Sequence, residues 1–366
     1  MPKIHALFKE LMDQGGSDLH LEQGQKPKLR LNGKMQELEN YELLSQEILS
    51  GILKEIVNKD SWLSFENRGD LDFAYSLGQE ARFRANYFRH FNGYGAIFRL
   101  IPSRITRLLD LGMPDVLKTF ADTRSGLILV TGPTGSGKST TLAAIIDYIN
   151  EMKTKRIITI EEPVEFIHTN KKSLISHREV GLDTQNFASG LRAAIKSDPN
   201  IILVGEMRDQ ETIHLALTAA EMGILVFGTL HTNSAAKTID RIIDVFPANK
   251  KNQIRTSLAN NLRAVVAQQL LRSIDGKRRW VAYEILLRTT ALGPIIQTGE
   301  TAKLTSEIQT HRQMGMILMD ECLLRLIKEG KVSQEEAHMK ALDKTRFVMP
   351  LGGNSYNTSF DNTQNF

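Results

Sequence analysis

Short apolar runs alternate with stretches of helical periodicity through the middle of the chain. Four runs have the length and the branched side chains of buried strands, at residues 127–131, 156–160, 201–204 and 224–230. Helical spacing of apolar positions follows each run, over residues 140–152, 186–197, 209–222 and 235–246. Strands that alternate with helices pack as a parallel sheet with helices on both faces, so the pattern predicts a doubly wound α/β domain.

The residues before this pattern form a separate, smaller unit. Amphipathic helices are predicted over 4–14 and 42–58, and strand-like runs cover 28–31 and 71–75, which together indicate a small α+β domain. Pro102 disfavours continuation of a helix or strand, and a new helical pattern begins at Leu108. We therefore predict a first domain over 1–101 and a linker over 102–110.

The residues after the α/β pattern are mostly helical in periodicity. Helices are predicted over 250–272, 316–330 and 333–342, and only 279–287 resembles a strand. Residues 350–366 carry a single charge, at Asp361, and are rich in Asn, Ser, Thr and Gly, which predicts disorder. The predicted divisions of this half are a core over 111–248, a helical part over 249–345 and a disordered tail over 346–366.

Composition narrows the classes of protein. The chain has 366 residues, 41% of them hydrophobic and 24% charged, as expected of a globular protein of two or three domains. No apolar run approaches the roughly 20 residues of a membrane span, and no secretory signal is found at the start, so we expect a cytoplasmic protein. A single cysteine, Cys322, excludes a disulfide framework and a cysteine-based zinc site. A net charge of +4 supplies no global attraction for nucleic acid.

The strongest chemical signal lies directly after the first predicted strand. Residues 132–140 read GPTGSGKST and match the phosphate-loop pattern GxxxxGK[ST], with a strand before them and a helix behind. Glycines let backbone N–H groups curl around a phosphate at a helix N-terminus, where the dipole favours anions. Lys138 is expected to reach the β- and γ-phosphates of ATP, and Ser139 to hold Mg²⁺. The predicted nucleotide-binding residues are Gly132, Pro133, Thr134, Gly135, Ser136, Gly137, Lys138, Ser139 and Thr140.

Polar residues that follow the other strands are candidates for the chemistry, because ligands of an open parallel sheet lie beyond the carboxyl ends of its strands. Glu161, Glu162 and Glu165 follow the second predicted strand, Glu206 the third and His231 the fourth. A triphosphate site needs an acid near Mg²⁺ and a base that orients the attacking water. We assign Glu206 to the metal and leave both Glu162 and Glu206 open as the base. His231 is either a γ-phosphate sensor or a strand-end cap.

A stretch that covers the end of the first domain and the linker is rich in arginine and aromatic residues and has no acid between Glu80 and Asp110. Its aromatic residues could stack bases while the arginines follow a nucleic-acid backbone. The arginines could instead reach a triphosphate bound by a neighbouring subunit. A third interpretation is a half-buried strand with apolar residues inward and arginines in water. The arginines are Arg82, Arg84, Arg89, Arg99, Arg104 and Arg107.

With these motifs in place, the chain resembles the PilT family of type IV pilus retraction ATPases, within the type II/IV secretion ATPase superfamily. The resemblance covers roughly residues 1–345. It rests on the phosphate loop and on GSDLHL from Gly16, ARFR from Ala81, ITIEEP from Ile158, REVG from Arg178, LVGEMRD from Leu203 and GTLHT from Gly228. The family implies a PAS-like N-terminal domain and a RecA-like ATPase domain with a helical C-terminal part. It also implies a hexameric ring that acts on a pilus platform protein at the inner face of the cytoplasmic membrane.

The resemblance also implies roles for single residues. Arg82, with Arg84 and Arg99 as neighbours, matches arginines of the N-terminal domain that approach the nucleotide, here from the adjacent subunit. Glu161, Glu162 and Glu165 match the family's acidic box, Glu206 its second metal-binding motif, and His231 the end of its histidine box. The predicted catalytic residues are Glu206, Glu162, His231 and Arg82. ATP and Mg²⁺ are the expected ligands, with Ser139 and Glu206 on the metal and Arg82 also on the nucleotide.

Three departures from the family pattern bear on function. Glu162 stands where the family has Asp, and Ile224 replaces the second histidine of the histidine box. Residues 291–298 replace a C-terminal motif associated with retraction and lack both its arginines and its glutamate. Gly293 and Pro294 predict that the first turn of any helix there is broken.

The expected function is a hexameric, ATP-hydrolysing motor for pilus retraction and twitching motility. The altered segment at 291–298 leaves open an accessory ring ATPase beside a paralogous pilus ATPase, or a nucleotide-gated interaction subunit with weak hydrolysis. A nucleic-acid translocase is the remaining alternative, and the near-neutral charge weighs against a nucleic-acid partner.

Overall fold

The computed structural model describes residues 2–31, 33–78, 80–101 and 105–347. It contains a six-stranded sheet in the N-terminal part and a seven-stranded sheet in the remainder. The predicted boundary at Pro102, the arginine at 104 and the tail from residue 348 onward lie outside the described residues. No helix in the described ranges is both long enough and apolar enough to cross a membrane.

The N-terminal sheet is antiparallel throughout, in the order β3-β2-β1-β6-β5-β4. Its strands are β1 (Asp18–Glu22), β2 (Lys28–Leu31), β3 (Lys34–Glu37), β4 (Asp70–Leu77), β5 (Ala81–His90) and β6 (Gly93–Ile101). Three helices pack against one face of it: α1 (Ile4–Asp13), α2 (Gln46–Lys54) and α3 (Lys59–Arg68). The single helix predicted over 42–58 is shorter in the structure, where α2 covers only Gln46–Lys54. The Ser45 side chain caps the start of α2, and Asn58 caps a separate α3.

Strand β5 alternates between the core and the surface. Phe83 and Tyr87 are fully buried, as is Phe98 on β6, whereas Arg82 and Arg84, on either side of Phe83, are partly exposed. The strand is therefore half-buried with its apolar residues inward, as the third interpretation expected, although Arg82 pairs with Glu179 rather than pointing into water. These three aromatic rings are not available to stack bases, which contradicts that part of the nucleic-acid interpretation.

The larger sheet has the order β13-β12-β7-β11-β10-β8-β9, and only β13 runs antiparallel to its neighbour. Its strands are β7 (Gly126–Thr131), β8 (Arg156–Glu161), β9 (Leu174–Glu179), β10 (Ile201–Val204), β11 (Leu225–Leu230), β12 (Leu262–Arg272) and β13 (Arg279–Leu287). The helices are α4 (Lys138–Met152), α5 (Phe187–Ile195), α6 (Gln210–Glu221), α7 (Ala235–Asp244), α8 (Ala248–Asn261), α9 (Leu292–Thr298), α10 (Leu304–Thr310), α11 (Met319–Lys328) and α12 (Gln334–Lys340).

Each face of this sheet is covered by its own hydrophobic cluster. Along β7, Leu127 and Leu129 belong to one cluster, and Ile128 and Val130 belong to the other. All four side chains are fully buried. This burial on both faces is the reason why the strands read as continuous apolar runs, and the predicted doubly wound α/β fold is confirmed.

The helix predicted over 250–272 is wrong beyond residue 261. Helix α8 ends at Asn261, and β12 continues the chain between β7 and β13. The alanine, leucine and glutamine residues of this run favour helix locally. Pairing with two strands and burial on both faces outweigh that preference. Strand β9 was also missed, and a 3₁₀ helix at Asp115–Asp122 replaces the helical pattern expected from Leu108.

The predicted break in residues 291–298 is also wrong, because α9 forms there with Pro294 in its first turn. An N–H group in the first turn has no intrahelical acceptor, so proline removes nothing at that position. Leu292, Ile295 and Ile296 are buried and fix the helix against the core. Tertiary packing of this apolar face offsets the low helix propensity of Gly293.

Candidate nucleotide-binding site

The phosphate loop connects β7 to α4 at the carboxyl edge of the larger sheet. Strand β7 is buried along its whole length, and α4 begins at Lys138, two residues before the predicted start. Gly137 precedes the helix with φ 87°, a left-handed backbone that glycine adopts without a side-chain penalty. The loop therefore ends at the N-terminus of a 15-residue helix, an arrangement that favours phosphate binding.

Gln268 of β12 supports the loop from behind. Its Nε2 donates to the backbone oxygen of Ser136 at 2.7 Å, and both residues are buried. A Cβ atom on Gly132 would lie 2.2 Å from the backbone oxygen of Gln268, so this close approach requires glycine. Gln268 was missed because its strand was predicted as helix. The adjacent β-branched pair Val265 and Val266 was the available signal for a strand.

Lys138 closes over the loop. Its Nζ donates to the backbone oxygens of Gly132 at 2.8 Å and Pro133 at 3.1 Å. Burial lowers the pKa of Lys138 below its ordinary value, although the charges of Glu206 and Glu165 oppose that shift. The ammonium group therefore contacts the loop and lies close enough to two of the predicted acids to be influenced by their charges.

Glu206 and His231 meet because β10 and β11 are neighbours in the sheet. His231 Nε2 donates to Glu206 Oε1 at 2.8 Å, and the Arg208 guanidinium pairs with the same oxygen. Burial alone would raise the pKa of Glu206, but the hydrogen bonds and charges of Arg208 and His231 hold it below its ordinary value. Glu206 is therefore a firmly ionised acceptor. Arg208 had no predicted role, although it follows β10 only two residues after Glu206.

The acidic loop, residues 161–165, follows β8 at the same edge. Burial, followed by the charge of Glu165, raises the pKa of Glu161 to about 7, against the hydrogen bond from Thr159. Glu162 is exposed. The hydrogen bond to Glu206, and then the charges of Glu206 and Glu162, raise the pKa of Arg208. The structure thus brings the acids that follow β8 and β10 to one side of the phosphate loop.

Arg82 contacts the acidic loop of its own chain. Its Nε donates to the backbone oxygen of Val164 at 2.9 Å, and its Nη2 donates to Glu179 Oε2 at 2.9 Å. Its neighbour Arg99 donates to Asp18 at 2.8 Å within the N-terminal sheet. The predicted approach of Arg82 to a nucleotide in the adjacent subunit stays a prediction.

A cavity of about 330 Å³ opens beside the phosphate loop. Gly137, Thr140 and Thr141 contribute the wall next to the loop, and Asp110 and Arg279 add charged groups. Gln268 also lines the cavity, and the remaining side chains are apolar: Leu111, Met113, Leu270 and Val281. Its size and mixed lining suit a planar base with a sugar. Another cavity, of about 390 Å³, lies between α6 and α8 and is lined by none of the predicted catalytic residues.

These residues fit a nucleoside triphosphate with Mg²⁺. The glycine cradle and Lys138 suit the phosphates, and the oxygens of Ser139 and Glu206 are of the kind that Mg²⁺ prefers. In the described ranges, no group of three or more His, Cys, Asp and Glu residues could hold a metal ion. A nucleotide-bound Mg²⁺ does not need such a group, because phosphate oxygens and water supply most of its ligands.

Comparison with known proteins covers nearly the whole chain. The family described as type II/IV secretion system protein matches residues 1–347. The chain belongs to this family. As a member of it, the chain is 48% identical over 328 residues to the type IV pilus retraction ATPase PilT of Pseudomonas aeruginosa, covering 90% of this chain and 95% of that protein. It is 35% identical over 355 residues to the type IV pilus ATPase PilU of the same organism, covering 96% and 93%.

A comparison with solved structures also finds that this chain is similar to PilT. The crystal structure of the pilus retraction motor PilT with bound ADP superposes with a TM-score of 0.87 at 40% identity, covering 94% of this chain and 98% of that one. The resemblance to PilT proteins that the motifs indicated is confirmed, and so is membership in a family of secretion and pilus ATPases.

Ile224, where the family resemblance led us to expect a second histidine, lies far from the phosphate loop. Ile224 precedes β11, and its backbone oxygen accepts from Gly126 N at 3.1 Å, at the start of β7. The phosphate loop follows the other end of β7. Within one chain, the missing histidine therefore does not belong to the edge that carries Lys138 and Glu206.

Proposed function

We propose that this protein is a ring-forming ATPase that converts hydrolysis of ATP to ADP and phosphate into work on a type IV pilus, driving retraction and twitching motility. The observation that carries the proposal is the convergence of the phosphate loop, Glu206, His231 and the acidic loop at one edge of the larger sheet. Relatives named as a pilus retraction ATPase and as a retraction motor with bound ADP support it, because each aligns over at least nine-tenths of this chain.

Binding of ATP uses the loop and the cavity beside it. The backbone N–H groups at the start of α4 receive the phosphates, and Lys138 exchanges its two backbone acceptors for phosphate oxygens. The base and ribose enter the 330 Å³ cavity, where apolar side chains contact the ring and Asp110 and Arg279 offer polar contacts. When bound by Ser139 and by Glu206, Mg²⁺ neutralises phosphate charge.

Hydrolysis needs a group that orients water, and the two candidates differ in environment. Glu206 already accepts from His231 and Arg208, and its pKa is held below the ordinary value, so it is a weak base. Glu162 is exposed on the acidic loop and lies close enough to Arg208 to influence that residue's pKa. We therefore assign the base to Glu162 and keep Glu206 on the metal side, with His231 positioning its carboxylate.

The proposal includes the assembly that the family resemblance implies. Six copies form a ring with ATP at the subunit interfaces, and the ring acts on a pilus platform protein at the inner face of the cytoplasmic membrane. Attachment to that membrane comes through partners. Nothing in the proposal requires nucleic acid, and the burial of Phe83, Tyr87 and Phe98 weighs against a nucleic-acid translocase.

An accessory role is the second candidate, and α9 is the observation that favours it. The exposed positions of this helix, Pro294, Gln297 and Thr298, carry no charge, in contrast to the arginine and glutamate residues of the motif associated with retraction. Similarity to PilU, named as a separate pilus ATPase, extends over 96% of the chain. In this role the ring works beside a paralogous motor and hydrolyses ATP weakly or only when partnered.

Steady-state ATP hydrolysis by the purified protein tests the proposal. We expect Lys138→Ala to reduce hydrolysis at least about 100-fold, because it removes a preorganised charge from the developing phosphate anion. Lys153→Ala, after the opposite end of α4, is the matched control and is expected to keep wild-type activity. Equal activity of Lys138→Ala and wild type would contradict the ATP site.

Deletion of the gene separates the two roles. A retraction motor predicts that deletion abolishes pilus retraction and that the wild-type gene, but not Lys138→Ala, restores it. An accessory ring predicts that retraction persists with reduced force or frequency. Normal retraction in the deletion strain under all loads would contradict both roles.

A further inference from the structure

A cluster of hydrogen bonds ties the N-terminal sheet to the acidic loop. Arg82 lies on β5, and each nitrogen of its guanidinium group has an acceptor. Nε donates to the Val164 backbone oxygen and Nη2 to Glu179 Oε2, both at 2.9 Å. Nη1 donates at 3.0 Å to Ser76 Oγ on the neighbouring strand β4. One arginine of the first sheet therefore makes a charged contact with the second.

Glu179 holds the same loop residue from the other side. It is the last residue of β9 and is only 5% exposed. Its Oε2 accepts from the backbone N–H of Val164 at 3.1 Å as well as from Arg82. Both backbone polar groups of Val164 are therefore fixed, the C=O by Arg82 and the N–H by Glu179. A carboxylate this deeply buried needs a positive partner, and Arg82 supplies it.

Val164 lies in the middle of the residues that the proposed chemistry uses. Glu162 precedes it by two positions, and Glu165 follows it directly. The ladder between β8 and β9 also places Glu161 opposite Glu179. A shift of Val164 would therefore move the exposed carboxylate of Glu162, and small misplacements of catalytic groups are costly in rate.

We infer that Arg82 is a positioning residue for the acidic loop of its own chain. This inference rests on the proposed ATPase function and gives that function a sensor of domain position. When the N-terminal sheet sits against the ATPase domain, Arg82 and Glu179 hold Glu162 in the geometry that hydrolysis requires. When the sheet moves away, the Arg82 guanidinium leaves both of its acceptors, the Val164 backbone oxygen and the Glu179 carboxylate. The acidic loop then loses this support. The role differs from that of an arginine finger, which acts on a neighbour's nucleotide.

Substitutions at the ion pair test this role. Arg82→Lys keeps the charge but cannot reproduce the guanidinium fork, and Glu179→Gln keeps an acceptor for Val164 but removes the charge. We expect each to lower kcat for ATP about 10- to 100-fold while KM and the Kd for a fluorescent ATP analogue stay within about twofold. The double variant should be no slower than the single ones. Arg89→Lys, whose contact to Glu66 stays within the N-terminal part, should match wild type.

A loss confined to KM, or losses in kcat that multiply in the double variant, would overturn the positioning role. Arg82→Lys also guards against misfolding, since it is milder than truncation to alanine. The circular dichroism spectrum and the ring assembly of each variant are compared with those of wild type. A variant that hydrolyses ATP slowly because it is unfolded or unassembled counts against the inference.

Mixed rings distinguish action within a chain from action on a neighbour. Arg82→Ala subunits keep Lys138, and Lys138→Ala subunits keep Arg82. If Arg82 acted across the interface, mixing the two would restore hydrolysis, because intact phosphate loops would meet intact arginines. The positioning role predicts no recovery above the sum of the separate activities, and recovery would overturn it. If Lys138→Ala hydrolyses ATP as fast as wild type, the proposed function falls. If hydrolysis needs Lys138 but tolerates Arg82→Lys and Arg82→Ala, only the positioning role falls.

Discussion

The carboxyl edge of the larger sheet and helix α9 lie in the same half of the chain but depend on different interactions. At the edge, Lys138, Glu206 and Arg208 are charged groups whose pKa values are shifted by one another or by burial. Helix α9 is held by buried Leu292 and its apolar neighbours. One region therefore depends on an electrostatic network, whereas the other depends on hydrophobic packing.

The difference explains how the proposed ATP site is compatible with residues 291–298 that lack the charges expected from the family resemblance. Exposed positions on α9 can change charge without loss of the packing that holds the helix. A change at the sheet edge instead affects several contacts at once, because a single residue such as Glu206 contacts both His231 and Arg208. We therefore expect substitutions to be tolerated on the helix surface and to be costly at the edge.

The largest expected effect concerns the two carboxylates. Glu162→Gln should lower kcat about 10²- to 10⁴-fold with little change in KM, because it removes the base but not the nucleotide contacts. Glu206→Gln should also slow hydrolysis and, unlike Glu162→Gln, raise the Mg²⁺ concentration needed for half-maximal rate. ATP hydrolysis during Mg²⁺ titration measures both, with Glu151→Gln at the end of α4 as a control. Wild-type kcat in Glu162→Gln would show that the base is assigned to the wrong residue.

A smaller effect is expected in the pH dependence of stability. The folded protein raises the pKa of Glu161 from 4.5 to about 7, so between these values the native state binds a proton that the unfolded state has lost. Relative to Glu161→Gln, the free energy of unfolding of wild type should therefore fall as pH rises from 4.5 to about 7, by at most about 1.4 kcal/mol per pH unit. Urea unfolding of both proteins across this range measures the difference. A difference that is constant or grows with pH would contradict the raised pKa.

The smallest effect is expected on α9, where Gln297 and Gly293 are replaced by arginine one at a time. Gln297 is exposed, so Gln297→Arg should change the free energy of unfolding by less than about 0.5 kcal/mol and leave ATP hydrolysis unchanged. Gly293 is buried, and a Cβ there would lie 3.5 Å from the Arg288 guanidinium. That contact is of ordinary length, but the rest of an arginine side chain would have to be accommodated at a buried position beside a like charge, so Gly293→Arg should cost about 1 to 3 kcal/mol. Chemical denaturation compares the two, and equal stability losses would show that α9 is not held as described.

Much of the site could be predicted from the sequence because its residues stand at recognisable places. The phosphate loop has a spacing pattern, and Glu206 and His231 directly follow apolar strands whose neighbours in the sheet bring them together. Local sequence failed where distant pairing decides the structure. Residues 262–272 contain good helix formers, yet they form a strand because they pair with β7 and β13. Gln268 was missed for the same reason.

The N-terminal half shows a second limit of sequence reasoning. The pattern on β5 indicated arginines facing outward, but it did not indicate that Glu179, 97 positions away, receives one of them. Pro294 illustrates the reverse problem: a residue that breaks helices in general is harmless in a first turn, and only the position of the helix start decides which case applies.

The hydrogen bond between Gln268 and Ser136 joins residues 132 positions apart, which has a consequence for synthesis. The phosphate loop is synthesised before its supporting strand β12. At typical elongation rates, the interval between the two is on the order of ten seconds. During that interval β7 has an edge without β12, and the backbone of Ser136 has no glutamine to hold it. A nascent chain can therefore give its phosphate loop this support only after translation has passed the end of β12 at residue 272.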